Sequence, residues 1–182
     1  VGMISTDTHW DSRPIDYLTG DERIAGSGNW KSKTFSSLAN FSIPNLVEIG
    51  ERGMLEEASV VRDYMQQGAH FYPMWKVRSE LGIAGLCEEL HHAYQGTDDV
   101  YVHFDMDVLG GAGPAPGDIL GELAEPMGMS DYEIIRLAHE IGKRGLTGMS
   151  FICIPPGSMV TYRLIVYIIA FLIAGLALSR SD

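Results

Sequence analysis

Hydrophobic positions along this chain fall into short runs that alternate with longer amphipathic stretches. Val1-Gly2-Met3-Ile4 and Val100-Tyr101-Val102 are short apolar runs, each ending on a group of acidic residues. Runs of that length predict buried strands. Asn45 to Ile49, His70 to Pro73 and Leu146 to Ile154 predict three more. Between them, Met54 to Gln67 predicts a helix ended by Gly68, and Trp75 to Tyr94 a mainly helical stretch weakened by Gly82 and Gly85. Ser130 predicts the cap of a helix running to about Lys143, with Glu133 at the capping-box position. Tyr162 to Leu178 predicts the last helix. Residues 12–42 and 109–128 predict long loops, rich in Ser, Gly, Asp and Lys in the first case and in Gly and Pro in the second. Loops that long inside a compact domain are usually functional. Strands alternating with helices predict an α/β domain with a mainly parallel sheet. A length of 182 residues suits a single domain, and no internal repeat or low-complexity tract divides it.

Composition narrows the function. The net charge of −11 argues against nucleic acid, which needs a basic footprint, and an acidic cleft would attract a cationic substrate. Cys87 and Cys153 are the only cysteines. Two, far apart, argue against a disulfide framework and suit a reducing, cytoplasmic setting. The fifteen uncharged residues Leu164 to Leu178 fall short of the twenty or so that cross a bilayer, and Arg163 and Arg180 bracket them closely. A buried helix is the expectation, with no membrane partner. Its apolar character on all sides predicts that one face meets another subunit.

The candidate chemistry lies at the ends of two strands, as Asp7-Thr8-His9-Trp10-Asp11 and Asp105-Met106-Asp107. Four carboxylates and an imidazole at the ends of buried strands are costly without a cation, because like charges repel and burial disfavours ionisation. A divalent ion, or two, removes that cost. Oxygen-rich ligation with a single imidazole suits Mn²⁺ or a similar borderline-hard ion. In an extended strand residues 7, 9 and 11 point one way, as do 105 and 107. In open α/β sheets ligands bind at the carboxyl ends of strands, where both motifs lie.

At these residues the chain resembles the ureohydrolase family of arginases, agmatinases and guanidino-acid hydrolases. The family's Asp-Ala-His-x-Asp motif matches Asp7-Thr8-His9-Trp10-Asp11, and its later Ser-x-Asp-x-Asp motif matches His103-Phe104-Asp105-Met106-Asp107. Ile43 to Gly53 resembles the family's middle strand with its Gly-x-Arg ending, and Ser27-Gly28-Asn29 its substrate loop. Ala115-Pro116-Gly117 and Glu125 to Ser130 resemble the stretch that follows the second motif. The resemblance implies a three-layer α/β/α domain, arginase-like, that spans residues 1–182 and lacks its N-terminal portion. That portion would bring edge strands and one more His ligand. It implies two divalent ions, Mn²⁺ first and Ni²⁺ second, held by Asp7, His9, Asp11, Asp105 and Asp107, a guanidino substrate, and trimers or hexamers, homo- or hetero-oligomeric.

Three departures bear on activity. In Gly148-Met149-Ser150-Phe151-Ile152-Cys153, Cys153 stands where the family has a Glu that clamps the guanidinium, and Ser150 where it has an Asp. The substrate loop continues as Trp30-Lys31, where arginase- and agmatinase-like members place a His; guanidino-acid and formimino-type members are closer to this form. Gly110-Gly111 replaces the family's Asp-Pro. His103 shares the alternation of Asp105 and Asp107 and reads as catalytic or as support for a ligand, with Asp107 also placed at the reaction centre. Ser27, Asn29, Trp10 and Cys153 are the candidate substrate contacts, although Trp10 suits the core equally well. His70, His91, His92 and His139 are assigned to surface or core, with adjacent His91 and His92 pointing apart on their helix. The expected function is hydrolysis of a C–N bond in a guanidino or related amidine compound, releasing urea or a substituted urea. The alternative is a catalytically silent subunit that stabilises an active partner.

Overall fold

The computed structural model describes residues 1–12, 27–53, 57–110 and 125–179. Five parallel strands form one sheet: β1 (Gly2–Thr6), β2 (Leu46–Ile49), β3 (His70–Tyr72), β4 (Val100–Asp105) and β5 (Gly148–Ile152), in the order β3-β2-β1-β4-β5. β1 and β2 are buried along their whole length, as strands covered on both faces must be. The helices are α1 (Trp30–Ser37), α2 (Ala58–Gln66), α3 (Met74–Lys76), α4 (Gly82–Glu89), α5 (His91–Tyr94), α6 (Asp131–Arg144) and α7 (Met159–Ser179).

Alternation along the strands sorts the core into two layers. Ile4, Val47, Ile49, Val102 and Phe104 face Leu86, Leu90, Ile134, Leu137, Leu164 and Ile168 on one side of the sheet. Met3 and Leu46 face Trp10, Tyr64 and Ala69 on the other, with Trp30, Phe35 and Phe71 packed around them. The three-layer α/β/α expectation holds. α6 begins with the expected capping box: Ser130 Oγ accepts from the Glu133 N–H at 3.2 Å, and the Glu133 carboxylate accepts from the Ser130 N–H at 2.7 Å. α6 and α7 meet through glycines. A Cβ on Gly142 would collide with the Leu172 carbonyl, and one on Gly175 with that of His139, so the backbones touch where only hydrogen fits.

Several expectations need correction. Part of the region read as loop is α1, whose polar run Lys31-Ser32-Lys33-Thr34 shows no apolar period; Trp30 and Phe35 anchor it on the second core layer. The expected helix from Trp75 to Tyr94 is broken, because a five-residue π turn (Val77–Leu81) leads into Gly82 at φ +63°. His92 stacks on His70 with centroids 3.5 Å apart, and the His91 ring also reaches His92 at 3.9 Å, so the adjacent rings do not point apart on the short α5. α7 is not a buried helix. It runs for 21 residues and buries one stripe, Thr161, Leu164, Ile168, Leu172 and Gly175. Val166 and Ile173 remain 63% and 60% exposed. By length and composition, with a mean hydropathy of 2.1, it could cross a membrane, which the fifteen-residue apolar run did not suggest.

Candidate metal centre

Both acidic motifs leave the sheet at its carboxyl edge, but strand alternation is not what gathers them. β1 stops at Thr6, and the chain turns as Asp7 Oδ1 accepts the His9 N–H at 2.7 Å. β4 stops at Asp105, whose Oδ1 accepts the Asp107 N–H at 2.9 Å and opens a 3₁₀ turn, Met106–Val108. Each motif is thus a local turn closed by its own aspartate, a conformation that Asp favours. The turns lock together through Thr8, whose N–H donates to Asp107 Oδ1 at 3.0 Å and whose hydroxyl donates to the Asp107 carbonyl at 2.6 Å. Arg52 braces them from below, donating to Thr8 Oγ1 at 2.6 Å and to the carbonyls of Asp107, Leu109 and Glu125.

Three overlapping groups result: Asp7 with His9 and Asp107, Asp7 with His103 and Asp105, and Asp105 and Asp107 with Cys153. Within each group one ligand-type atom per residue lies within 4.8 Å of the others. Asp11, expected as a ligand, falls outside them. It sits at φ +51° and accepts from the Trp30 indole N–H at 3.1 Å.

Crowding and burial set the electrostatics. Burial first, then the negative charge of Asp7 and Asp107, raises the Asp105 carboxyl to about 9. Burial raises Asp7 to about 7 against the pull of Lys31, helped by repulsion from Asp11 and Asp107. Asp107 moves the other way: burial opposes its ionisation, but the His9 imidazole, with Nδ1 3.1 Å from its Oδ2, outweighs that. His9 is raised in turn, Asp107 overcoming desolvation. His103 drops to about 3 by burial and the nearby Lys31 ammonium, so its ring is neutral. The donor set fits a divalent cation. His9 Nε2 and His103 Nε2 are buried with no hydrogen-bond partner, and an orphaned buried donor or acceptor costs about 1–3 kcal/mol. Carboxylates and imidazoles together suit Mn²⁺ and its neighbours.

Lys31 was not anticipated as a site residue. It is fully buried, and its Nζ donates to the Trp10 carbonyl at 2.8 Å, Glu48 Oε1 at 2.9 Å and Asp7 Oδ2 at 3.3 Å. Desolvation alone would lower the ammonium pKa; Glu48, Asp7 and Asp11 together raise it. A signal was present in the sequence, since Glu48 interrupts the apolar strand Leu46-Val47-Glu48-Ile49 and a carboxylate in a buried strand needs a partner. Trp30 was also missed. Its ring lies 4.3 Å from the His103 ring while its N–H holds Asp11.

The expected substrate contacts separate. Trp10 is wholly buried, edge-on to Tyr64 and Phe71, and so belongs to the core rather than to a pocket wall. Asn29 is buried beside Trp30, with an unpartnered Oδ1, and Ser27 lies in the 3₁₀ turn just before it. Cys153 adopts φ +53° and donates its thiol to Asp105 Oδ2 at 3.0 Å. Burial and the Asp105 charge push that thiol well above its usual range, which makes it a poor nucleophile. Gly111 and Ala115-Pro116-Gly117 lie outside the described residues. A cavity of about 750 Å³ between Met129 and Arg163 is not lined by any candidate ligand.

Comparison with known proteins agrees with this geometry. The arginase family matches residues 1–173. Among solved structures, formimidoylglutamase from Bacillus subtilis superposes with a TM-score of 0.83 at 20% identity, covering 98% of this chain and 54% of that one. Proclavaminate amidino hydrolase from Streptomyces clavuligerus gives 0.77 at 23%, covering 98% and 56%. Trypanosoma cruzi formiminoglutamase with Mn²⁺ gives 0.79 at 23%, covering 97% and 57%. The chain spans somewhat more than half the length of these neighbours. No curated protein matches it. With a family match along nearly the whole chain, and a fold shared with amidine-cleaving enzymes, the chain belongs to the arginase family.

Proposed function

We propose that this chain forms the metal-binding part of a hydrolase that cleaves a C–N bond of a guanidino or formimino compound. The observation that carries this reading is the meeting of Asp7, His9, Asp105 and Asp107 at the carboxyl ends of β1 and β4, with buried imidazole nitrogens left unpartnered. Two divalent ions, Mn²⁺ or Ni²⁺, would neutralise the carboxylates and make a water acidic enough to serve as nucleophile near neutral pH. Asp7, which lies in both imidazole-containing groups, would help to hold both ions, with His9 and Asp107 serving one and Asp105 the other. A metal-bound imidazole must be neutral, so ion binding would displace the proton that the Asp107–His9 pair sustains in the metal-free chain, and metal affinity would rise with pH. Asn29 and Cys153 remain candidate substrate contacts, with Ser27 beside them. With no carboxylate at position 153, the substrate is expected to be a guanidino acid or a formimino compound rather than a simple alkylguanidine.

The thiol at position 153, hydrogen-bonded inward to Asp105, also favours the second reading, a silent subunit that supports an active partner. One assay separates the two. Release of urea from guanidino compounds, and of formamide and the free amine from formimino compounds, is measured over a panel of both with Mn²⁺ or Ni²⁺, for the wild type, Asp107→Asn and Cys153→Glu. The hydrolase reading expects turnover that Asp107→Asn lowers at least a hundredfold and Cys153→Glu shifts toward alkylguanidines. A wild type fully loaded with metal and inert on every compound establishes the silent subunit.

A further inference from the structure

His103 is the one residue of the second motif whose surroundings exceed what support for a ligand requires. Position 103 pairs with Ser5 on β1 and with Ser150 on β5, and Ser5 pairs with Glu48 on β2. A polar row, Glu48-Ser5-His103-Ser150, therefore crosses the sheet on one face, with Asp105 two residues further along β4 on that same face. Within the row His103 is 5% exposed, and its two ring nitrogens differ. Nδ1 lies 2.7 Å from Ser150 Oγ. Nε2 has no hydrogen-bond partner, and a ring nitrogen of His103 lies within 4.8 Å of ligand atoms of Asp7 and Asp105. The Trp30 ring packs against the imidazole, with centroids 4.3 Å apart and planes tilted by 44°. A hydrogen bond that fixes one ring nitrogen while the other points, bare, at carboxylates is the usual arrangement of a histidine that binds a metal.

We propose that His103 Nε2 is itself a metal ligand, so that this chain carries an imidazole for each of two ions: His9 with Asp7 and Asp107, and His103 with Asp7 and Asp105. Ligands of one ion at about 2.0–2.2 Å are separated by up to about 4.4 Å, so the three donors need to close by only a few tenths of an ångström. Ser150 becomes a positioning residue, its hydroxyl oxygen accepting from Nδ1–H and leaving the lone pair on Nε2. The neutral alternative, a core histidine with its bonding satisfied, does not account for the bare Nε2. The inference deepens the metal-dependent reading of this site, but its test needs no turnover.

The metal-free full chain is titrated with Mn²⁺, counting bound ions by elemental analysis and directly bound imidazole nitrogens by pulsed electron paramagnetic resonance. The wild type should hold two ions and show two nitrogen couplings. His103→Ser, which restores the family's residue, should hold one ion, keep the His9 coupling and lose the other. Ser150→Ala should keep both couplings while one site weakens about tenfold to a hundredfold, the effect expected when an outer partner of a ligand is removed. It also decides the question if His103→Ser does not fold. A wild type with one ion and one nitrogen coupling overturns the proposal. So does a His103→Ser protein unchanged in ion count, affinity and couplings. A chain that binds two ions in this way and cleaves no amidine keeps the proposal and removes the hydrolase reading; an active chain indifferent to His103→Ser does the reverse.

Discussion

Replacing Lys31 with methionine is expected to destabilise the metal-free chain by about 3–5 kcal/mol, the cost of removing one partner from a buried ion pair and leaving the other charge uncompensated. The structure places this substitution at the severe end. The Lys31 and Glu48 side chains are both fully buried, Nζ lies 2.9 Å from Oε1, and the other Glu48 oxygen has no partner of its own. Losing the ammonium also strips the Trp10 carbonyl and Asp7 Oδ2 of a donor. By contrast Lys143–Glu140 on α6, with the lysine side chain 45% exposed, belongs to the class of pairs worth about 1 kcal/mol or less. At a urea slope of about 2 kcal/mol per molar, the expected loss moves the unfolding midpoint down by about 1.5–2.5 M. Adding Glu48→Gln to Lys31→Met removes the stranded charge and should recover at least half the loss, a coupling that a double-mutant cycle measures directly. The assay is urea denaturation of the wild type, both single variants and the double variant in the presence of a chelator. The reasoning is refuted if Lys31→Met costs less than about 1 kcal/mol, or if Glu48→Gln restores nothing in its background.

Two further expectations follow from the same site and from α7. Because the folded-state values of Asp105 and Asp7 are raised to about 9 and about 7, the folded metal-free chain holds protons that the unfolded chain releases above about 4. Stability should therefore fall as pH rises from about 4 to about 9, by up to about 1.4 kcal/mol per pH unit for each group, and saturating Mn²⁺ should flatten that slope; melting temperature against pH, with chelator and with metal, is the check. The exposed outer stripe of α7 should drive association, so Val166→Lys with Ile173→Lys should raise the monomer fraction in sedimentation without altering the helical circular dichroism, and a monomeric wild type at micromolar concentration would remove that expectation.

The parts of the fold that were legible in the sequence are those where one physical requirement dominates. Strands β1, β2 and β4 are apolar runs because both faces of a parallel sheet are covered, and Ser130-x-x-Glu133 announces α6 because four backbone N–H groups need acceptors. α1 was hidden because its anchoring depends on Trp30 and a buried lysine, neither of which leaves a helical period. α7 misled because an apolar segment says that water is unfavourable without saying what replaces it. The metal motifs were legible as acidic clusters, but the expected mechanism of convergence, strand alternation, was wrong for Asp7 to Asp11. Their convergence rests on turns closed by Asp7 and Asp105 and on Thr8 and Arg52, tertiary contacts that no local pattern encodes.

Three side chains around the acidic turns each find a partner within hydrogen-bonding reach. Lys31 Nζ donates to Glu48 Oε1, and its ammonium opposes the burial that otherwise raises the Glu48 carboxyl. His103 Nδ1 lies 2.7 Å from Ser150 Oγ, so the imidazole finds a hydroxyl within hydrogen-bonding reach. Cys153 turns its thiol onto Asp105, one of the carboxylates least able to ionise. The buried polar atoms without a hydrogen-bond partner around these turns include both imidazole Nε2 positions and one oxygen each of Asp107 and Glu48, and the imidazole nitrogens carry electron pairs that a cation would use. A cation held between these turns, as proposed above, would draw on both the crowded carboxylates and the bare nitrogens.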